Sequence, residues 1–91
     1  MKLRLTLAAE SDLEHVRDTI ILENPAAAEK VQQAITKAIE LLLFFSYLGR
    51  PGVLKGTREK TVKSLPYIVV YRVHDDELII LRIFHGAQNR P

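Results

Sequence analysis

Leu3, Leu5 and Leu7 alternate with Arg4 and Thr6, and this period of two over residues 3–7 predicts a half-buried strand. The period then lengthens. Leu13, Val16 and Ile20 recur at spacings of three and four, with Asp12, Glu14, Arg17 and Asp18 on the opposite side, which is the signature of an amphipathic helix. Two starts compete for that helix: Ser11 with Glu14 fits a capping box, whereas Thr6 caps it if it begins earlier. Its end is sharper. Asn24 is a strong N-cap residue and Pro25 is tolerated at a first helical position but not inside a helix, so one helix stops and another starts there. The second carries Ala28, Val31, Ile35, Ala38, Ile39 and Leu42 on one stripe and turns Glu29, Gln32, Gln33, Lys37 and Glu40 outward.

The helical pattern fails near Phe45, and Gly49, Arg50, Pro51, Gly52 and Gly56 punctuate the chain. Beyond them the period returns to two, predicting strands over residues 60–64, 67–73 and 78–85, the last two joined by a tight turn over 74–77. Simple alternation in the last strand sets Ile79, Leu81, Ile83 and His85 on one face and Leu78, Ile80, Arg82 and Phe84 on the other. The first set is apolar until its last residue, so it is expected beneath the helices. In the strand before it, Arg72 shares a face with Ile68 and Val70, and Tyr67, Val69, Tyr71 and Val73 hold the other. The expected architecture is α+β, in the order β-α-α-β-β-β. A two-helix hairpin covers one face of a mostly antiparallel four-stranded sheet, within a single domain spanning 1–91.

Charge adds a contrast that the mild overall value hides. The net charge is +2, yet residues 1–49 carry five basic against seven acidic side chains and residues 50–91 carry eight against four. Arg50, Lys55, Arg58, Lys60, Lys63 and Arg72 lie in one short stretch with Glu59 as its lone acid. Such a stretch is either a solvated edge strand protected by lysines or a surface for a polyanion or acidic partner. Cysteine is absent, which excludes disulfides, thiolate metal sites and cysteine nucleophiles and suits a reducing cytoplasm. No apolar run approaches the roughly 20 residues of a membrane-spanning helix, so no membrane is expected. The N-terminal residues do not form a secretory signal.

No spacing in the chain names a reaction: there is no phosphate-binding glycine loop, no metal-spaced histidine pair and no serine motif, so neither metal nor cofactor is expected. Chemistry must come from a surface. His85 ends the last strand before Gly86, where it serves either as a proton carrier or as a strand terminator bonded to a carbonyl. His15 and His74 read as surface residues. Arg82, between Leu81 and Ile83, needs water, a carboxylate or a phosphate, because a guanidinium keeps its charge. Arg58 and Lys60 alternate onto one face of their strand and Lys63 onto the other. Gln88, Asn89 and Arg90 form a polar tail. On the uncovered face, Leu78, Ile80 and Phe84 beside Arg82 form an incomplete core that an acidic and apolar partner segment could finish.

The ordered set of features resembles the RelE/ParE superfamily of bacterial type II toxin-antitoxin toxins. It comprises Ala9 to Leu13 at a helix start, Pro25 to Ala28 at the next, the run 48–52, Gly56 to Glu59, Tyr67 to Val73, and Leu81 to Gln88. The resemblance spans essentially the whole chain. It implies an antitoxin partner, for which the incomplete core at Leu78, Ile80, Arg82 and Phe84 leaves room, and a target that is either DNA gyrase, as for ParE-like members, or ribosome-bound mRNA, as for RelE-like nucleases. For a nuclease it implies His85, Arg82 and Arg58 as catalytic residues without a metal, with Lys55, Lys60, Lys63 and Arg72 joining Arg58 and Arg82 in target contact. Ile68 stands where the RelE-like strand arginine is expected, and no tyrosine follows Tyr71. These departures favour the ParE-like side.

Overall fold

The computed structural model describes residues 1–86. Chain order runs β1 (Lys2–Leu5), α1 (Leu7–Glu23), α2 (Pro25–Phe44), β2 (Arg50–Pro51), β3 (Arg58–Thr61), β4 (Tyr67–His74) and β5 (Glu77–His85). The sheet has five strands rather than four, in the order β1-β5-β4-β3-β2, because two residues after the glycine-rich turn pair with β3. β1 runs parallel to β5 and all other pairs are antiparallel. Both helices lie on one face of this sheet.

Thr6 wins the competition to cap α1. Its hydroxyl accepts from the Ala9 N–H at 3.1 Å and also donates to the Leu81 carbonyl at 2.9 Å, so one side chain ends β1, starts the helix and ties it to β5. Ser11 lies inside the helix and has no such tie. The Asn24 side chain accepts from the Ala27 N–H at 3.2 Å, with Pro25 at the first position of α2. The stripe of α2 is buried as its spacing predicts: Val31, Ile35, Ala38, Ile39 and Leu42 pack in one core with Val69, Tyr71, Leu78, Ile80 and Ile83 of the sheet.

The β4–β5 turn is two residues long, with Asp75 at φ 47° and Asp76 at φ 62°. Two successive left-handed residues make the turn whose twist suits a hairpin, and aspartate tolerates that region better than most side chains.

Alternation breaks inside β5. Val70 pairs with Arg82 but Tyr71 pairs with Ile80, so Leu81 is an extra residue, a β-bulge. A one-residue insertion reverses which face each later side chain occupies. Before the bulge, Leu78 and Ile80 lie opposite Val73 and Tyr71 on the helix side; after it, Ile83 and His85 lie opposite Val69 and Tyr67 on that same side. The simple alternation is therefore right for Ile83, His85, Arg82 and Phe84 and wrong from Leu78 to Leu81. Leu78 and Ile80 are sealed in the core, which removes them from any exposed docking face. They cannot meet an antitoxin without the core opening.

Tyr71 organises the loop after α2. Its buried hydroxyl accepts from the Gly49 N–H at 2.9 Å and donates to the Ser46 carbonyl at 2.8 Å. Gly49 is needed for proximity: a Cβ there would lie 2.7 Å from the Tyr71 oxygen and 2.8 Å from the Glu59 carbonyl oxygen. Gly56 differs, with φ +82° and open space around its missing Cβ. Gly49→Ala is expected to destabilise by about 2–3 kcal/mol, since rigid backbone and a buried ring must move, and Gly56→Ala by about 1 kcal/mol from left-handed strain alone. Urea unfolding of the two variants checks the order.

Burial raises the Tyr71 pKa above 10.0, more than the Gly49 hydrogen bond and the nearby Arg58 charge lower it. The folded chain then holds this proton at a pH where the unfolded chain releases it. The stabilisation is complete below pH 10 and is lost as pH rises from there through the folded-state value. Wild type should therefore lose stability above pH 10 more steeply than Tyr71→Phe, as read from urea midpoints across that range.

Candidate functional site

β1 covers only the first four residues of β5 along its outer edge, Glu77 to Ile80. The backbone beyond needs other partners, and α1 supplies them. The Thr6 N–H donates to the Ile80 carbonyl at 3.0 Å, and the Asp12 carboxylate accepts from the Ile83 N–H at 2.9 Å. The same carboxylate accepts from Arg82 Nε at 2.8 Å and Nη2 at 3.1 Å, a two-pronged pair. Asp12 hydrogen bonding and charge raise the Arg82 pKa still further. Arg82 is thus half-exposed and neutralised by α1, not a lone cation on the uncovered face.

Around this pair lies a recess of about 420 Å³ between α1 and the end of β5, lined among others by Asp12, His15, Tyr67, Arg82 and His85. The rings of His85 and Tyr67 meet edge to face, with centroids 5.6 Å apart. His15, which reads as a plain surface residue, therefore shares a concavity with His85. Neither it nor Asp12 is signalled as part of a site by spacing, because the contact joins residues 70 positions apart.

Arg58 is committed elsewhere. Its side chain donates to the Gly49 carbonyl at 2.8 Å and sits over the Tyr47 ring, 4.8 Å from the centroid. It braces the α2–β2 turn on the helix side of the sheet, opposite Tyr71. Arg50 pairs with the buried Glu59 carboxylate at 3.1 Å. Arg72 is exposed on the face away from the helices, opposite Ile79, and Lys55 stands exposed in the turn between β2 and β3. Phe84 is buried on the face away from the helices, opposite Ile68.

Lys60 and Lys63 belong to a different place again. With Lys37 they line a groove of about 340 Å³ between α2 and β3. The ten cations and apolar residues expected to serve target, catalysis or antitoxin thus do not form one site: Leu78 and Ile80 lie in the core, Lys55 lies in the β2–β3 turn, and the others divide among the α1–β5 recess, the loop brace, the α2–β3 groove and the face away from the helices. Gln88, Asn89 and Arg90 lie outside the described residues. Among the described residues no group of three or more His, Asp or Glu side chains is placed to hold a metal, and no helix is long and apolar enough to cross a membrane.

Asp12 holds both Arg82 and a backbone donor. Asp12→Ala is expected to cost about 1–3 kcal/mol, because it strands the Ile83 N–H as well as the guanidinium. Arg82→Ala removes a half-exposed ion pair alone and should cost about 1 kcal/mol or less. Thermal or urea unfolding of the two variants reads the difference.

Comparison with known proteins follows the fold. The family model for the ParE toxin of the type II toxin-antitoxin system parDE matches residues 3–90. Protein Y4kP of Sinorhizobium fredii is 36% identical over 90 residues, covering 99% of this chain and 93% of that one. A chain of the chromosomal ParDE toxin-antitoxin system from P. aeruginosa superposes with a TM-score of 0.84 at 31% identity, covering 93% of this chain and 95% of that one. In fold alone, a chain of the intact E. coli RelBE toxin-antitoxin complex is similar as well, with a TM-score of 0.70 at 14% identity over 98% of each chain.

Proposed function

Because the chain belongs to the ParE family of toxins from type II toxin-antitoxin systems, we propose that it arrests growth in the cytoplasm by binding a protein target such as DNA gyrase, and that a cognate antitoxin neutralises it. One observation carries the choice of a binding mode over RNA cleavage: the candidate catalytic cations do not converge. Cleaving RNA without a metal requires a base near the 2′-hydroxyl and positive groups aimed at one developing phosphorane. Arg58 is bound to the Gly49 carbonyl in the loop after α2, and Arg82 is held by Asp12 of α1 at the β5 edge. Lys60 and Lys63 line a third region, apart from His85. A positive group already satisfied by a carboxylate contributes less to a transition state than one kept for it.

A ribosome-dependent mRNA endoribonuclease is the second reading, and one feature favours it. His15 and His85 line the same recess as Arg82, which would place two imidazoles near a guanidinium if substrate displaced Asp12.

Induced expression separates the two. Under the binding reading, His85→Ala and His15→Ala each leave growth arrest within about threefold of wild type, a change too small for loss of a general acid or base, which lowers rates by roughly 10²–10⁴. Purified toxin inhibits gyrase supercoiling and leaves ribosome-bound mRNA intact. Cleavage of that mRNA, abolished by either histidine variant, would establish the nuclease instead.

A further inference from the structure

The turn that closes α2 carries bare apolar surface that the fold does not use. Phe44, Phe45, Tyr47 and Leu48 fall within five residues and are 83%, 60%, 69% and 51% exposed. Leu7 and Leu22 are as bare, but they stand at opposite ends of α1 and form no patch with one another. Single exposed leucines are ordinary on a protein surface, whereas exposed aromatic and aliphatic side chains gathered in one place mark a surface that another molecule covers.

This turn is also held in one shape. The Phe45 N–H donates to the Leu41 carbonyl at 2.9 Å and the Leu48 N–H to the Phe45 carbonyl at 3.1 Å. From within, the Tyr71 hydroxyl donates to the Ser46 carbonyl and accepts from the Gly49 N–H. From the sheet, Arg58 donates to the Gly49 carbonyl and lies against the Tyr47 ring. A buried tyrosine and an arginine thus fix the backbone beneath four side chains that make little contact with the core. Side chains presented from a fixed backbone lose less freedom on binding, and aromatic residues so placed carry a large share of the energy of protein interfaces.

Charge narrows the kind of partner. Between Glu40 and Glu59 the chain has Arg50, Lys55 and Arg58 and no acid. Glu59 is buried against Arg50, which leaves Glu40, one turn before Phe44, as the exposed acid beside the patch. A second copy seated turn to turn would bring the same cations face to face, so charge opposes self-association here. RNA is the poorer fit as well, since one face of Tyr47 is already taken by Arg58, and Arg50 and Arg58 are bound to a carboxylate and a carbonyl rather than kept for phosphates.

We propose that this turn is the surface by which the chain grips its protein target: Phe44, Phe45, Tyr47 and Leu48 enter an apolar hollow of the target, and Asp or Glu side chains at the rim of that hollow face Arg50 and Lys55. The assignment rests on the target-binding reading above and names the residues that carry it.

Induced expression of four chains tests it: wild type, Phe44→Ala with Phe45→Ala, Tyr47→Ala with Leu48→Ala, and Leu7→Ala with Leu22→Ala as a control at exposed residues outside the turn. Both turn variants should melt close to wild type, as substitutions of exposed side chains do, and yet need about tenfold or more toxin to arrest growth. The α1 control should arrest growth at the wild-type dose. With purified gyrase as the target, the turn variants should inhibit supercoiling about tenfold or more weakly, and wild-type binding should fall about threefold or more when salt is raised from about 50 to about 500 mM, because added ions screen the charged rim. Arrest by either turn variant at the wild-type dose would overturn the assignment, even if that variant had lost binding to an antitoxin, to a second copy or to anionic vesicles. An equal loss in the α1 control would overturn it too, and gyrase binding indifferent to salt would overturn the acidic rim. No arrest from the wild-type chain at all would remove the target-binding reading itself.

Discussion

The outer edge of β5 is the constraint around which this small protein is built. A nine-residue strand in the core has a four-residue neighbour on this edge, and its remaining backbone groups there must be satisfied by something other than that strand. The solution is to bring α1 against that edge. Thr6 and Asp12 take the place of strand residues, one through its hydroxyl and amide and the other through its carboxylate. The helix is positioned by polar seams at its first two turns, which explains how it stays docked although Ala9 and Val16 are its buried residues and Leu7 and Leu22 lie in solvent.

That solution decides the electrostatics. Arg82 gains a carboxylate because Asp12 is already at the β5 edge for the Ile83 amide, and Arg58 gains two carbonyl contacts and a ring because the turn after α2 is drawn in by Tyr71. Arginine suits such roles, since it forks to planar acceptors and stacks on rings. Lys60 and Lys63, compact and strongly hydrated, line a groove. A basic stretch that looks uniform in one dimension is therefore divided in three: Arg50 and Arg58 brace the loops, whereas Lys55 and Arg72 are exposed and Lys60 and Lys63 line the groove.

The two ends of the sheet complement one another. The β5 edge is closed from within by α1, and among the described residues the β3 edge has a strand neighbour only at the two residues that β2 pairs. Open edges invite association, and lysines along them discourage the wrong kind. Lys60 on β3 and Lys63 in the turn after it place positive charge at this end of the sheet.

Much of this architecture is legible in one dimension. Hydrophobic period distinguishes helix from strand directly, because burial acts on one face at a time, and Asn24 with Pro25 marks a boundary through local backbone chemistry alone. The α2 stripe, the last two strands, the tight turn at Asp75 and Asp76 and the ParE-like order of motifs follow from such local rules, whereas the strand expected over 60–64 lies earlier, at Arg58–Thr61, because the chain turns at Lys63 and Ser64. Facing is another matter. The bulge at Leu81 carries no residue-type signal, yet it moves Leu78 and Ile80 from the expected docking face into the core. The choice of Thr6 over Ser11 depends on a carbonyl of Leu81, and the fate of Arg82 depends on Asp12, 70 residues away. Periodicity and capping are properties of neighbours in the chain and can be read from it. Which cation meets a carboxylate, and which side of a bulged strand meets the core, are decided only when distant segments compete for the same space.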